Sequence, residues 1–261
     1  MEILQRLKKL ILFGKGYIIM NDVVAWSGGF DSTYLIKYLI ETGLLSNREI
    51  TLVSFHHNLC NEDKNIREEK RRKLILGYLK DIYRSIKFNY VEINTQVNYE
   101  VTKNVDTNNS SGLSQPIIWL SQIIPIIPSN SNIYFGYISN DKAIGIINNM
   151  QNIIKEACFI QGKHNINLQT PLAINKTKLD IMNYFIENNQ TLLKLCTSCE
   201  GDGDKDKCGH CEPCCHMKST LLELFVNGNE KAGELLNEWY GIKCNLSFED
   251  NKEQLKSKRN T

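Results

Sequence analysis

The sequence predicts an α/β fold, a doubly wound parallel sheet with a C-terminal helical appendage that binds zinc through four cysteines. Three observations predict this fold. Apolar strands alternate with helices along residues 21–190, the turn Ser27-Gly28-Gly29 joins a strand directly to a helix, and six cysteines crowd into residues 196–215. Strands that alternate with helices require right-handed crossover connections, which place helices on both faces of a parallel sheet.

Hydrophobic periodicity gives the positions of these elements. The predicted strands cover residues 23–26, 50–56, 88–93 and 132–135. A first helix is predicted directly after Gly29, and further helices are predicted at residues 62–80, 116–124, 141–157 and 176–188. Pro125 is expected to end the helix at 116–124. The polar stretch 94–115 is predicted to be a loop.

The chain divides into four parts. A short amphipathic helix at 1–16 belongs to an N-terminal extension, residues 1–20, and a nucleotide-binding domain follows at 21–190. The zinc-binding subdomain covers 191–245, and the charged tail 246–261 is predicted to be disordered. A length of 261 residues suits one large domain with a small appendage.

Composition excludes several classes of protein. The 42% hydrophobic and 23% charged residues are typical of a soluble globular protein. The formal net charge of +2 gives no electrostatic reason to expect direct nucleic-acid binding. No segment reaches the ~20 apolar residues of a membrane helix, and the apolar run near residue 10 is too short for a signal peptide. We expect a cytoplasmic protein that does not bind membranes.

The segment from Ser27 to Ser32 predicts a phosphate site. Gly28 and Gly29 let the backbone turn sharply and approach an anion closely, and the N–H groups of the new helix point at that anion. Ser27 and Ser32 add hydroxyl donors, and Asp31 in the first helical turn is placed to hold Mg²⁺ beside phosphates. The segment lacks the Gly-Lys-Ser/Thr ending of a Walker loop.

Other candidate residues follow neighbouring strands. In a parallel sheet, ligands bind at the carboxyl ends of the strands. We therefore expect His56, Gly136, Asp141 and the segment 169–176 to share one cleft with the glycine turn.

The cysteine cluster predicts a structural Zn²⁺ site. Cys199, Cys208, Cys211 and Cys214 have the spacing of thiolate ligands in tight turns, and Gly209 makes one such turn. Cys196 or Cys215 could replace one of the four as a ligand, and His210 or His216 could also enter. Four thiolates leave no open coordination position, so we assign the metal no catalytic role.

These motifs resemble those of a known family. Ser27-Gly28-Gly29-Phe30-Asp31-Ser32 is similar to the pyrophosphate-binding loop of the PP-loop ATP pyrophosphatases, whose fold is that of the adenine nucleotide alpha-hydrolases. With the cysteine spacing, it resembles the 7-cyano-7-deazaguanine synthase (QueC) family. The strings Phe55-His56-His57-Asn58 and Thr170-Pro171-Leu172-x-x-Asn175-Lys176 fit the same family in order.

The resemblance implies an ATP-dependent ligase that forms a C–N bond. In the QueC family, the carboxylate of 7-carboxy-7-deazaguanine is adenylated, and ammonia then displaces AMP on the way to the nitrile. Carried over to this chain, the catalytic candidates are Ser27, Asp31, Ser32 and Lys176, with Lys176 as a cation on the α-phosphate. The ATP-binding candidates are Trp26, Ser27, Gly28, Gly29, Phe30, Asp31, Ser32, Phe55, His56, Gly136 and Asp141. The implied cofactors are ATP, Mg²⁺ and Zn²⁺.

The chain departs from the family in the segments that hold the nucleobase. The family's Gln-Arg-His is replaced by Leu59-Cys60-Asn61, and its Pro-Gly-Arg-Asn lies near Pro116-Ile117-Ile118-Trp119 without the arginine. The resemblance therefore indicates a divergent member. Such relatives occur in antiphage operons, where the amine acceptor could be a protein. A tRNA-modifying adenylating enzyme and a non-catalytic zinc-stabilised scaffold are the alternatives, and a homodimer is one assembly that the sequence leaves open.

Overall fold

The structure is a computed structural model that describes residues 20–57, 62–95, 115–199 and 207–243. The predicted helix at 1–16, most of the predicted loop at 94–115 and the predicted disordered tail at 246–261 lie outside the described residues. So do Asn58 and the segment 59–61.

Five parallel strands form one sheet in the order β3-β2-β1-β4-β5. They are β1 (Asn21–Ala25), β2 (Glu49–His57), β3 (Lys87–Thr95), β4 (Ser131–Tyr134) and β5 (Ile166–Gln169). Along the chain, β2 and β3 are added on one side of β1, and β4 and β5 are then added on its other side. The boundary between β1 and β4 is therefore the point where the strand order reverses, which is where such sheets bind ligands.

Eight α-helices are described. They are α1 (Phe30–Glu41), α2 (Glu62–Ile82), α3 (Gln115–Ile126), α4 (Ile147–Ile160), α5 (Lys178–Asn188), α6 (Gln190–Leu195), α7 (Glu212–Val226) and α8 (Glu230–Tyr240). A 3₁₀ helix, Lys142–Ile146, precedes α4. No helix in these described stretches combines the length and the apolar content needed to cross a membrane.

Two apolar cores lie on opposite faces of the sheet. Val24 of β1 packs in one core with residues of α1, α2 and α5, whereas its neighbours Val23 and Ala25 pack in the other with residues of α3 and α4. This alternation follows from the two-residue period of a strand. The prediction of a doubly wound parallel sheet is confirmed.

The C-terminal helices extend the first core. Leu221 of α7 and Leu235 of α8 are buried in the same cluster as Leu39 of α1 and Phe185 of α5. The cysteine-bearing subdomain therefore shares an apolar core with the sheet domain and does not depend on a metal alone for its stability.

Three predicted helix boundaries were wrong. Pro125 lies inside α3, which ends at Ile126, and the ammonium of Lys163 caps that end by donating to the carbonyls of Ile124 and Pro125. A proline removes only its own N–H, so it is tolerated in a terminal turn whose carbonyls are satisfied from elsewhere.

The other two boundaries are set by side-chain caps. The hydroxyl of Thr177 accepts from the N–H of Asp180, and the Asp180 carboxylate accepts from the N–H of Thr177. This capping box starts α5 at Lys178 rather than at residue 176. The Asp141 carboxylate accepts from the N–H of Ala143 and starts the 3₁₀ helix, so the α-helical part of predicted helix 141–157 begins only at Ile147.

Two helical glycines provide a matched test of the packing between α7 and α8. A Cβ on Gly233 would lie 2.6 Å from Cδ2 of the Phe225 ring, whereas a Cβ on Gly77 of α2 would meet no heavy atom within 4 Å. We expect Gly77→Ala to raise the free energy of unfolding by about 0.5–1 kcal/mol. Gly233→Ala gains the same helix propensity, but its methyl group overpacks the Phe225 ring. We therefore expect the free energy of unfolding to fall by roughly 1 kcal/mol.

Urea unfolding of the two variants measures this difference. Equal stabilisation by both substitutions would show that α7 and α8 do not pack as closely as the structure has them.

Candidate functional site

The side chains of Ser27 and Ser32 make hydrogen-bond contacts within the glycine turn that follows β1. The Ser27 hydroxyl accepts from the N–H of Gly29 at 3.3 Å and lies 3.1 Å from the Ser32 hydroxyl. Gly28 has a φ of 81°, which is costly for any residue with a Cβ, and Gly29 is the extended N-cap of α1. We call residues 26–32 the glycine loop.

Three glycines let other segments touch this loop. A Cβ on Gly28 would lie 2.8 Å from Cγ of the buried Arg72, and a Cβ on Gly29 would lie 3.4 Å from the Ser198 hydroxyl. A Cβ on Gly136, just after β4, would lie 3.0 Å from the backbone N and Cα of Ser32. The loop is therefore contacted from three sides, and the contacts at Gly28 and Gly136 leave no room for a Cβ.

The start of α1 presents backbone donors to this turn. The N–H groups of Phe30, Asp31 and Ser32 belong to the first turn of the helix, where no earlier helical carbonyl is available to them. Gly29 has no side chain that could cap them. These groups and the helix dipole suit a phosphate or pyrophosphate.

Asp31 has one oxygen bonded and one buried without a partner. Its Oδ2 accepts from the Lys178 ammonium at 2.5 Å, whereas Oδ1 has no hydrogen-bond partner among the described residues. A buried carboxylate oxygen of this kind is a suitable ligand for a divalent cation. Asp31 therefore fits the Mg²⁺ that accompanies a nucleotide.

Sequence reasoning missed Lys178. It chose Lys176, whose N–H donates to the Leu172 carbonyl and whose own carbonyl accepts from Ser139 N–H. The side chain of Lys176 is not among those lining the two cavities described next. The capping box of Thr177 and Asp180 is the sequence signal that places Lys178 in the first turn of α5.

A cavity of about 200 Å³ lies directly on the glycine loop, and we call it the loop cavity. Its lining includes Ser27, Asp31, Trp119, Gly136, Asp141 and Ser198. The Trp119 indole Nε1 is buried and has no hydrogen-bond partner among the described residues. Two residues that line the loop cavity, Trp119 and Asp31, thus each carry a buried polar atom without a partner among the described residues, one a donor and the other an acceptor.

Trp119 is held by other aromatic rings. Phe55 of β2 stacks on it with ring centroids 5.0 Å apart, and Phe135 lies 6.2 Å away. Phe55 is 7% exposed, so the structure places it behind Trp119 as a support.

A second cavity of about 490 Å³ adjoins the first at Asp31 and Asp141, and we call it the outer cavity. Lys178 of α5 lines it, together with Glu212 and His216 of α7. The spacing of Glu212 and His216 is one helical turn, so they share a face of α7. Three carboxylates and one lysine give this cavity a negative charge.

Besides Phe55, two further predicted ATP-binding residues, Trp26 and His56, contribute no side chain to the loop cavity. Trp26 is fully buried, and its indole N–H donates to the Thr33 hydroxyl at 3.1 Å, which ties the glycine loop to α1. His56 Nδ1 lies 3.9 Å from the Glu92 carboxylate of β3 and groups with Glu69. Neither side chain is among those lining the loop cavity.

The four cysteines chosen from their spacing come together. One sulfur from each of Cys199, Cys208, Cys211 and Cys214 lies within 4.8 Å of the others, whereas Cys196 and Cys215 are outside this group. In a tetrahedral metal site with metal–sulfur bonds of ~2.3 Å the sulfurs are about 3.8 Å apart, so these donors fit one metal ion.

Backbone donors prepare the cluster for thiolates. The N–H of Cys208 donates to Cys199 Sγ, and the N–H of Cys211 donates to Cys208 Sγ, both at 3.3 Å. Burial acts to raise the pKa of Cys208, but hydrogen bonds from His210 and Cys211 outweigh it and lower the pKa to about 6. Gly209, with a φ of 83°, makes the turn between the second and third ligands.

The cysteine cluster is also connected to the glycine loop through Ser198. Cys199 follows Ser198, which approaches Gly29, and the Cys199 carbonyl accepts from the Arg67 guanidinium at 3.3 Å. A metal bound by Cys199 would therefore hold Ser198 against the loop.

Metal content separates ligand cysteines from the others. We expect Cys211→Ser to reduce bound metal from one ion per chain to near zero, since three thiolates cannot complete the tetrahedral site. Cys215→Ser alters an exposed cysteine outside the group and should keep the full metal content. Elemental analysis of both purified variants makes the comparison, and full metal in Cys211→Ser would show that the ligand set is wrong.

Comparison with known proteins supports the resemblance seen in the motifs. The family described as "Queuosine biosynthesis protein QueC" matches residues 130–224, a segment that contains Gly136, Lys178 and all four clustered cysteines. The QueC-like character of the chain is confirmed over this segment and indicates an enzyme that uses ATP. The glycine loop lies outside the match, so its assignment rests on its own motif and geometry.

Other comparisons add little. No curated protein matches the chain. Among solved structures, the U34-tRNA thiolase NcsA from Methanococcus maripaludis, with its 4Fe-4S cluster, is similar at 11% identity and a TM-score of 0.39. That alignment covers 94% of this chain and 80% of the thiolase.

Proposed function

We propose that this protein is an ATP-dependent ligase that adenylates the carboxylate of 7-carboxy-7-deazaguanine and transfers the acyl group to an amine. The acceptor is ammonia or the amine of a protein. One observation carries the proposal: beside a cavity, the glycine loop combines first-turn donors that no side chain caps with an Asp31 oxygen that has no partner in the described part of the chain. The choice of 7-carboxy-7-deazaguanine as substrate rests on the resemblance to the QueC family, which the match over residues 130–224 supports.

The first step forms the acyl adenylate. A carboxylate oxygen of the substrate attacks the α-phosphorus of ATP, the bond from that phosphorus to the bridging oxygen breaks, and pyrophosphate leaves with the electron pair. The N–H groups at the start of α1 bind the departing pyrophosphate and stabilise its growing charge. Asp31 would hold Mg²⁺, which neutralises phosphate charge when bound.

The second step transfers the acyl group. The amine nitrogen attacks the acyl carbon, AMP leaves, and the nitrogen loses a proton to form the amide. The outer cavity supports entry of the amine from the α7 side, because Asp141 and Glu212 attract an ammonium ion, which gives up one proton to water before the neutral nitrogen attacks.

Trp119 takes part in recognition of the nucleobase. It stands in the segment where the QueC family has an arginine, it lines the loop cavity, and its buried Nε1 has no hydrogen-bond partner among the described residues. A carbonyl or ring nitrogen of the deazapurine would satisfy this donor. The tryptophan thus provides one hydrogen bond in place of a charged group.

The four-cysteine site is proposed to hold Zn²⁺ in a structural role. A closed set of four thiolates gives Zn²⁺ its preferred geometry and leaves no position for substrate. Its contribution to activity is indirect, through the position of Ser198 against Gly29.

Asp31→Asn tests the first step. The amide keeps the size of the carboxylate and one oxygen that can accept from Lys178, but it lacks the charge needed to hold Mg²⁺ as tightly, so we expect AMP formation to fall by more than about a hundredfold. Asp81→Asn removes the same charge from an exposed position on α2 and should leave the rate unchanged. AMP release at the wild-type rate in Asp31→Asn would remove the glycine loop from the reaction.

Trp119→Phe tests the recognition step. The ring stays stacked on Phe55 but the N–H is lost, so we expect KM for the deazapurine to rise about three- to tenfold with little change in kcat, the effect of one hydrogen bond. Tyr38→Phe, which also removes one side-chain donor and lies outside both the loop cavity and the outer cavity, is the control. An unchanged KM in Trp119→Phe would show that the indole N–H does not contact the substrate.

The activity itself is tested with purified protein, ATP and Mg²⁺. AMP that forms only with 7-carboxy-7-deazaguanine supports the proposal, and the mass of the product made with ammonia or with a protein identifies the acceptor. AMP that forms only with tRNA would favour a tRNA-modifying enzyme instead. No AMP with either substrate would favour a scaffold without catalysis.

A further inference from the structure

A third cavity of about 700 Å³ lies in the C-terminal subdomain and shares no lining residue with the loop cavity or the outer cavity. Helices α2, α6, α7 and α8 and the turn that carries Cys208 surround it. We call it the basic cavity. Its volume is in the range of sites that hold a nucleotide-sized molecule, and it is far larger than a single phosphate needs.

Positive charge dominates its lining. Arg71, Lys194, Lys207 and Lys218 face Glu238, which is the one carboxylate among the residues that line it. Glu238 already forms an ion pair with Lys194 at 2.6 Å. Positive charge remains in excess even when the two negative charges of a metal ion bound by four thiolates are counted.

These cations are held close together. Arg71 and Lys207 are near enough for their charges to repel each other. The Lys207 ammonium lies 4.2 Å from the centre of the Trp239 ring, and the Lys218 ammonium lies 5.5 Å from the centre of the Tyr240 ring. The rings hold the ammonium groups by cation–π attraction in an arrangement that an anion would stabilise.

We infer that the basic cavity binds a phosphate-bearing nucleotide, either free or as a unit of single-stranded RNA. The lysines and the arginine supply the charge and the donors that phosphate oxygens need. Trp239 and Tyr240 supply aromatic surface beside them, which is the combination that binding sites for single-stranded nucleic acid use. The formal net charge of +2 does not indicate this site, because acidic residues elsewhere in the chain balance the positive charge of the basic cavity.

Fluorescence anisotropy with a labelled single-stranded oligouridylate of eight nucleotides tests the inference. The test variant is Arg71→Gln/Lys218→Gln. The matched control is Lys73→Gln/Lys231→Gln, which removes two positive charges from exposed positions on the same helix α2 and on α8. Metal content and circular dichroism must match wild type in both variants, and single substitutions replace any double variant that fails this check.

We expect wild-type protein to bind and the Arg71→Gln/Lys218→Gln variant to bind at least tenfold more weakly, with the control within about twofold of wild type. The slope of log K against log salt should fall by about 1.4 in the test variant, since each phosphate contact on a single strand contributes about 0.7. Unlabelled UMP and unlabelled oligonucleotide are then compared as competitors at equal phosphate concentration. If UMP competes as strongly as the oligonucleotide, the ligand is a free nucleotide, and if UMP competes much more weakly, the ligand is RNA.

Two results would overturn the inference: no binding by wild type, or equal weakening in the test and control variants. Neither result bears on AMP formation, so the inference can fail while the proposed ligase activity stands.

Discussion

The function proposed for this protein depends on one steric constraint, the approach of three chain segments to the glycine loop. Arg72 packs under Gly28, the segment before Cys199 packs against Gly29, and Gly136 packs against the backbone of Ser32. The contacts at Gly28 and Gly136 exist because a glycine has no Cβ, whereas a Cβ on Gly29 would still fit beside Ser198. The contacts hold the first turn of α1 beside the loop cavity, which is the pre-organised geometry that binding of pyrophosphate requires.

The same constraint links the metal cluster to the chemistry. Four thiolates around one ion would fix Cys199, and through it Ser198, beside the glycine loop. A closed metal site would thus contribute without touching substrate, because it would determine where a neighbouring backbone lies. The shared apolar core of the C-terminal helices and the sheet makes this connection rigid.

Local patterns predicted most of the fold and part of the site. Four of the five strands and the four clustered cysteines could be read from periodicity and spacing, since both depend on residues close in sequence, but the short strand β5 was missed. The buried Trp119 donor, the Lys178–Asp31 contact and the basic cavity could not be read, because each depends on segments that are distant along the chain. The boundary at Pro125 was wrong for the same reason, since Lys163 supplies its cap, whereas the boundary at Lys176 was wrong because the local capping box of Thr177 and Asp180 was overlooked.

The central claim is that AMP is transferred to a carboxylate held beside the glycine loop. The most direct measurement uses 7-carboxy-7-deazaguanine labelled with ¹⁸O in its carboxylate, with ATP, Mg²⁺ and ammonia, followed by mass spectrometry of the nucleotide products. The account predicts one ¹⁸O atom in the phosphate of AMP and none in pyrophosphate. Product amide formed without ¹⁸O in AMP, or ¹⁸O found in inorganic phosphate instead, would contradict it.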